Sequence, residues 1–196
     1  MTTRERYKQL NEEALGHIEK RKQRGLDYGP GGRVWSVHNL EAQAQGEIGM
    51  ALPFGSNPDF RGIMHPDGGA DNNYFLYVPK RPDFYKMDAK GVWKNPNFLV
   101  VGIGYVRPNT AYMQFYRPNG WTWESDFPWP CNGWMWGHEV MTYPVEDFWG
   151  GGRLGHVVPS REPNKLHLLE ELLAMYGHRW FHGGLRKRWA IYCEDQ

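Results

Sequence analysis

Ten tryptophans, eleven tyrosines and nine phenylalanines lie in a chain of 196 residues whose mean hydropathy is only −0.71. With so few aliphatic side chains to spare, the rings must supply the burial that Leu, Ile and Val supply in most cores. Large rings bury much area per residue and tolerate irregular backbone, so this composition favours a folded but loop-rich domain. The densest stretch holds Trp121, Trp123, Phe127, Trp129, Trp134 and Trp136. In a strand, each Trp-x-Trp pair puts both rings on one face of the sheet. An exposed pair would stack sugars, bases or partner prolines, whereas a buried pair is core. The shortage of aliphatics assigns most of these rings to the core, and Trp121 and Trp123 are the pair expected to reach an interface.

Gly (24) and Pro (14) make up about a fifth of the chain, which is too little to signal disorder beside so many aromatics. Twenty-three basic residues against 22 acidic ones leave a formal charge of +1 and no electrostatic case for a nucleic-acid partner. Two cysteines, Cys131 and Cys193, make no disulfide framework and suit an intracellular, reducing compartment. The first residues contain no apolar run of the secretory kind. No stretch approaches the roughly 18 consecutive apolar residues that cross a bilayer, so the expectation is a soluble chain, or one peripheral to a membrane complex.

Along the chain, residues 2–24 read as a helix, with Thr2 and Glu5 forming a capping box and Gly25 just past the end. Its apolar stripe, Tyr7, Leu10, Ala14 and Ile18, is thin, so the helix must lie along its own domain or a neighbour. Residues 25–33 form a Gly-rich linker, which makes 1–33 an appendage to a single domain over 34–196. A short helix is expected over 39–50, followed by a turn-rich segment over 53–73. The middle reads as an antiparallel β meander, with strands at 74–78, 98–106 and 111–116. Further strands are expected at 140–143 and 155–158, separated by a flexible Gly150-Gly151-Gly152. An amphipathic helix over 162–182, with Pro163 in its first turn, precedes a basic-aromatic tail. The fold class is α+β.

The polar face of that last helix carries His167, Glu171, His178 and His182 within about 60° of one another. His178 and His182, spaced i, i+4, could share a zinc or iron ion with Glu171 as a carboxylate ligand, but no HExxH pattern is present and the expectation is a chain without a cofactor. His138 beside Glu139 offers a second pairing of imidazole and carboxylate for proton transfer, although neighbours on a strand point to opposite faces. Arg186, Lys187 and Arg188, interleaved with Trp189, form a basic-aromatic tail better suited to the rim of a protein contact than to phosphate. Familiar nucleotide-binding and nucleophile-elbow motifs are absent from the sequence.

Segments such as the sparse N-terminal helix and the tail gain order by packing on neighbours. The sequence therefore points to a non-catalytic structural or accessory subunit of a large assembly, either an organellar complex or a virion. Tyr7, Leu10, Trp121, Trp123, Arg186, Lys187, Arg188 and Trp189 are its expected contacts with other protein subunits. The alternatives are a small enzyme using the histidine–carboxylate sites and a module that stacks a ligand on the tryptophans.

Overall fold

A computed structural model describes residues 1–24, 36–55, 57–58, 60, 63, 75–77, 84–162 and 165–180. The first helix, α1 (Thr3–Gln23), starts as expected: the Thr2 side chain accepts from Glu5 N–H while Glu5 reaches back to the Thr2 amide. Those bonds satisfy two backbone donors that a helix start leaves open. The stripe of Tyr7, Leu10, Ala14 and Ile18 is buried against Leu40, Ala44 and Ile48 of α2 (Val37–Phe54), with Phe60 and Ile63 alongside. Each large side chain so buried contributes about 1.5–3 kcal/mol. Tyr7 and Leu10 are each only 1% exposed, which corrects their assignment to a partner surface: α2 of the same chain covers them.

Helix α2 begins at the Ser36 cap and ends at Gly55, whose φ of 63° is left-handed. It is longer than the sequence suggests, because Pro53 sits in its last turn without ending it. The helix lies directly on β2 (Phe84–Val92), and glycine makes the close approach possible. A Cβ on Gly91 would sit 1.9 Å from the carbonyl oxygen of Ala42, and one on Gly46 would meet Ala89 at 3.3 Å.

The strands form two sheets. The larger runs in the order β1 (Phe75–Tyr77), β2, β4 (Thr110–Tyr116), β5 (Cys131–Trp136). The smaller runs β3 (Phe98–Gly102), β7 (Gly155–Pro159), β6 (Val145–Glu146). Four of the ladders are antiparallel, as expected, but β2 and β4 pair in parallel from Lys86↔Thr110 to Val92↔Tyr116. The chain leaves the larger sheet after β2, lays down β3 in the smaller one, and returns in its original direction. That excursion makes the parallel pair possible.

One face of the larger sheet packs on α2 through Met87, Ala111, Met113 and Phe115, closed by Trp121, Trp129, Trp134 and Leu172. The other face meets the smaller sheet through Tyr112 and Met135, against Leu99, Val101 and Val158. Trp129 and Trp134 are almost wholly enclosed, so the rings do carry the core.

An expected strand and the final helix also differ from the sequence reading. In place of a strand over 140–143 there is a one-turn helix, α3 (Gly137–Val140), followed by a turn. The final helix, α4 (Leu169–Trp180), starts later than 162. The residues before it pair instead with β5, where Trp134 and His167 exchange backbone hydrogen bonds of 3.0 and 2.8 Å. An edge strand left open there would waste those groups, and the pairing outweighs an extra helical turn. Gly177 remains helical.

Candidate functional site

Two separate pairings drawn from the sequence converge on one imidazole. His167, in the segment bridged to β5, lies with Nε2 3.0 and 3.1 Å from the two oxygens of Glu139 on α3. Its Nδ1 lies 3.4 Å from Glu171 Oε2, in the first turn of α4. The ring rests on Trp134, centroids 4.6 Å apart, and the Trp134 indole N–H donates to Leu168 O at 2.8 Å. Glu139 also accepts the Trp136 N–H at 3.0 Å, so the carboxylate that meets His167 is itself fixed. A neutral ring can donate to only one glutamate at a time, whereas a doubly protonated ring donates to both.

This arrangement departs from the four-residue metal face. His167 precedes α4 instead of lying on it, because its backbone is paired with Trp134. His178 falls on the backbone of α4, and His182 lies outside the described residues. Among the described residues, no group of three or more His, Cys, Asp or Glu is placed to hold a metal ion. With a glutamate at each ring nitrogen, His167 ties α3 and α4 to the edge of the larger sheet. His138 takes no part: it is exposed, its amide and Nδ1 both face Pro108 O, and the helical turn sends Glu139 the other way.

The tryptophan pair is likewise committed internally. Trp121 is 3% exposed, packed edge-on against Trp123 and Trp129, with its indole N–H donating to Phe127 O. The Trp123 indole N–H donates to the buried Glu41 of α2 at 3.1 Å, and its carbonyl accepts from Asn11 of α1 at 2.7 Å. Asn11 in turn accepts from Gln45, which makes a buried polar joint between the two helices and the tryptophan loop. The basic-aromatic tail, Arg186, Lys187, Arg188 and Trp189, lies outside the described residues.

A surface that the sequence reading missed lies at the end of the smaller sheet. Ile103, Tyr105, Trp149 and Leu154 are each 43–47% exposed. All four flank the facing glycines Gly102 and Gly155: Tyr105 and Leu154 border Gly102, Trp149 borders Gly155, and the Ile103 amide donates to Leu154 O. The loop that presents Trp149 is tightly bonded. The Asp147 carboxylate accepts from the amides of Gly152 and Arg153 at 2.8 and 2.9 Å, and the Arg153 guanidinium donates to Gly150 O and Trp149 O. Gly150, Gly151 and Gly152 have φ of 73°, 71° and 77°, conformations in which a Cβ is costly. The glycine run read as a flexible spacer is therefore a wound loop. The only sequence clue was Asp147 ahead of three glycines, since Asp readily accepts from amides a few residues on.

No family model matches the chain, and no match is found among the curated proteins or the solved structures. No helix among the described residues is long and apolar enough to cross a membrane.

Proposed function

We propose that this protein is a structural or accessory component of a multi-protein assembly, and that it seats another protein chain on the end formed by Ile103, Tyr105, Trp149 and Leu154. The observation that carries this reading is four large apolar side chains exposed around Gly102 and Gly155, one of them, Trp149, on a loop fixed by hydrogen bonds. Contiguous apolar patches on a surface mark contacts, and Trp and Tyr are the side chains that most often anchor them. Charges of both signs adjoin these residues, Glu146, Asp147 and Arg153 in the Trp149 loop and Arg107 bonded to Gly104 O, which suits a protein neighbour better than an anionic membrane. The rival histidine–carboxylate enzyme has its best geometry at His167, but both nitrogens there are already occupied by glutamates.

The test is cross-linking mass spectrometry on the tagged full-length chain purified from its host, with and without Trp149→Ala. Fixed-stoichiometry association, with cross-links to another protein around residues 103–105 and 149–154 that disappear in the variant, supports the reading. A monomer whose apolar end carries no cross-links, or a partner that maps elsewhere and is indifferent to Trp149, overturns it. Cross-links between two copies also overturn it, since they would make the end a self-association surface.

A further inference from the structure

A second histidine is built differently from the first. His38, in the opening turn of α2, places Nδ1 3.2 Å from Glu41 Oε2. Glu41 is buried and held from two other elements: the Trp123 indole N–H meets Oε1, and the Arg117 guanidinium lies 3.6 Å from Oε2. The His38 ring is stacked on Trp93, centroids 4.7 Å apart and planes 29° from parallel, and Trp93 is itself tethered to Asn39 Oδ1 at 3.3 Å. The ring is thus fixed at one nitrogen and along one face, yet the side chain is 49% exposed. Its Nε2 has no hydrogen-bond partner among the described residues.

The other described histidines lack this combination. Both nitrogens of His167 face carboxylates, His156 is buried with Nδ1 on Tyr143 O, and His138 is exposed but backed by a carbonyl. His17 lies beside Phe60 with Nδ1 buried.

We propose that His38 is a reactive acid–base site, in which Glu41 is the positioning residue and Nε2 the working atom. A carboxylate at Nδ1 selects the tautomer protonated there, which leaves a lone pair on Nε2, without a partner among the described residues. When Nε2 takes a proton or attacks an electrophile, positive charge appears on the ring, and the fixed Glu41 carboxylate stabilises it without having to reorganise. The ligand class is a small molecule that donates a hydroxyl or ammonium proton to Nε2 while lying at the edge of Trp93, or an acyl electrophile that Nε2 attacks. This site is independent of the apolar end of the smaller sheet.

Diethyl pyrocarbonate is the probe. Nε2 forms a bond to one carbonyl carbon, the bond from that carbon to the bridging oxygen breaks, the acylated ring gives up its Nδ1 proton, and the departing ethyl carbonate takes up a proton and decomposes to carbon dioxide and ethanol. Peptide-level mass spectrometry on the full chain is expected to show His38 acylated about fivefold or more faster than the exposed His138, and Glu41→Gln is expected to remove that advantage. Long-range ¹H–¹⁵N spectra are expected to show His38 as the Nδ1–H tautomer in the wild type and as a mixture in Glu41→Gln. Equal acylation of His38 and His138, or an Nε2–H tautomer in the wild type, overturns the proposal. The tautomer measurement on the wild type decides the matter even if Glu41→Gln fails to fold.

Discussion

The contact between α2 and β2 makes a sharp prediction for Gly91→Ala. The added Cβ would lie 1.9 Å from the Ala42 carbonyl oxygen, 2.4 Å from its carbon and 2.9 Å from its Cα. Comfortable non-bonded separations begin near 3.5 Å, so the helix must withdraw by about 1.5 Å. The obstacle is backbone in mid-helix, which cannot swing aside as a side chain would. Withdrawal would also loosen Ala42, Met50 and Ala51 from Met87 and Met113 in the same cluster. Overpacking of this kind costs about 1–3 kcal/mol and sometimes more. The stiffer unfolded chain returns about 0.4–1 kcal/mol. The expected net loss is about 1–2 kcal/mol, or a Tm about 2–8 °C lower for a chain of this size. Gly16→Ala is the matched control: it lies on the exposed side of α1 with nothing within 4 Å, and should gain about 0.5–1 kcal/mol. Thermal unfolding by circular dichroism reads both. If Gly91→Ala melts with the wild type while Gly16→Ala rises, the close seating of α2 on β2 is refuted.

Three further residues, Cys131, Asp126 and Gly151, carry testable consequences. Burial pushes the Cys131 thiol up to about 12, so native alkylation by iodoacetamide at pH 8 should be slower than in urea by about 10³-fold. Because the unfolded thiol ionises first, stability should fall as pH rises above the ordinary thiol range, and Cys131→Ala should flatten that decline. Hydrogen bonds from Arg4 and Lys8 hold the Asp126 carboxyl below its usual range. The stability it adds is present above the ordinary carboxylate pKa and disappears as pH falls through the lowered one, so Asp126→Asn should flatten the acid limb of a Tm–pH curve. Gly151→Ala should cost about 1–2 kcal/mol, because φ at that position is 71°, and denaturant unfolding monitored by circular dichroism measures the loss.

What the sequence makes legible is local. The capping box of α1 is readable because Thr2 and Glu5 are three residues apart, and its stripe because the partner face need not be known. The start of α2 was missed by two residues, since Ser36 precedes a run with no acidic first turn. Strand β5 was not among the expected strands, although Trp134 and Trp136 have strand spacing; Gly133, at φ 132°, lets the chain pass under Leu166. The meeting of Glu139 with His167 could not be read at all. Both residues were singled out, but the contact depends on α3 being a helical turn and on His167 bridging to Trp134 of β5, two non-local outcomes. His38 and Glu41 were passed over for a different reason. An i, i+3 pair of opposite polarity is commonplace on a helix, and only the burial of Glu41 beneath Trp123 gives it meaning.

The detour of the chain through β3 also sets an order of events during synthesis. β2 and β4 bracket β3, and all three are made long before β7 emerges to pair with Leu99 and Val101. A nascent chain that has reached β4 holds the β2 and β4 halves of the parallel pair and α2 to cover them, while β3 still lacks its strand partner. Such distant pairing slows folding, because loop closure must precede the contacts that reward it. The ribosome thus exposes a greasy hairpin-sized segment until nearly the whole domain has been translated, the kind of interval in which a chaperone or a neighbouring chain finds its grip.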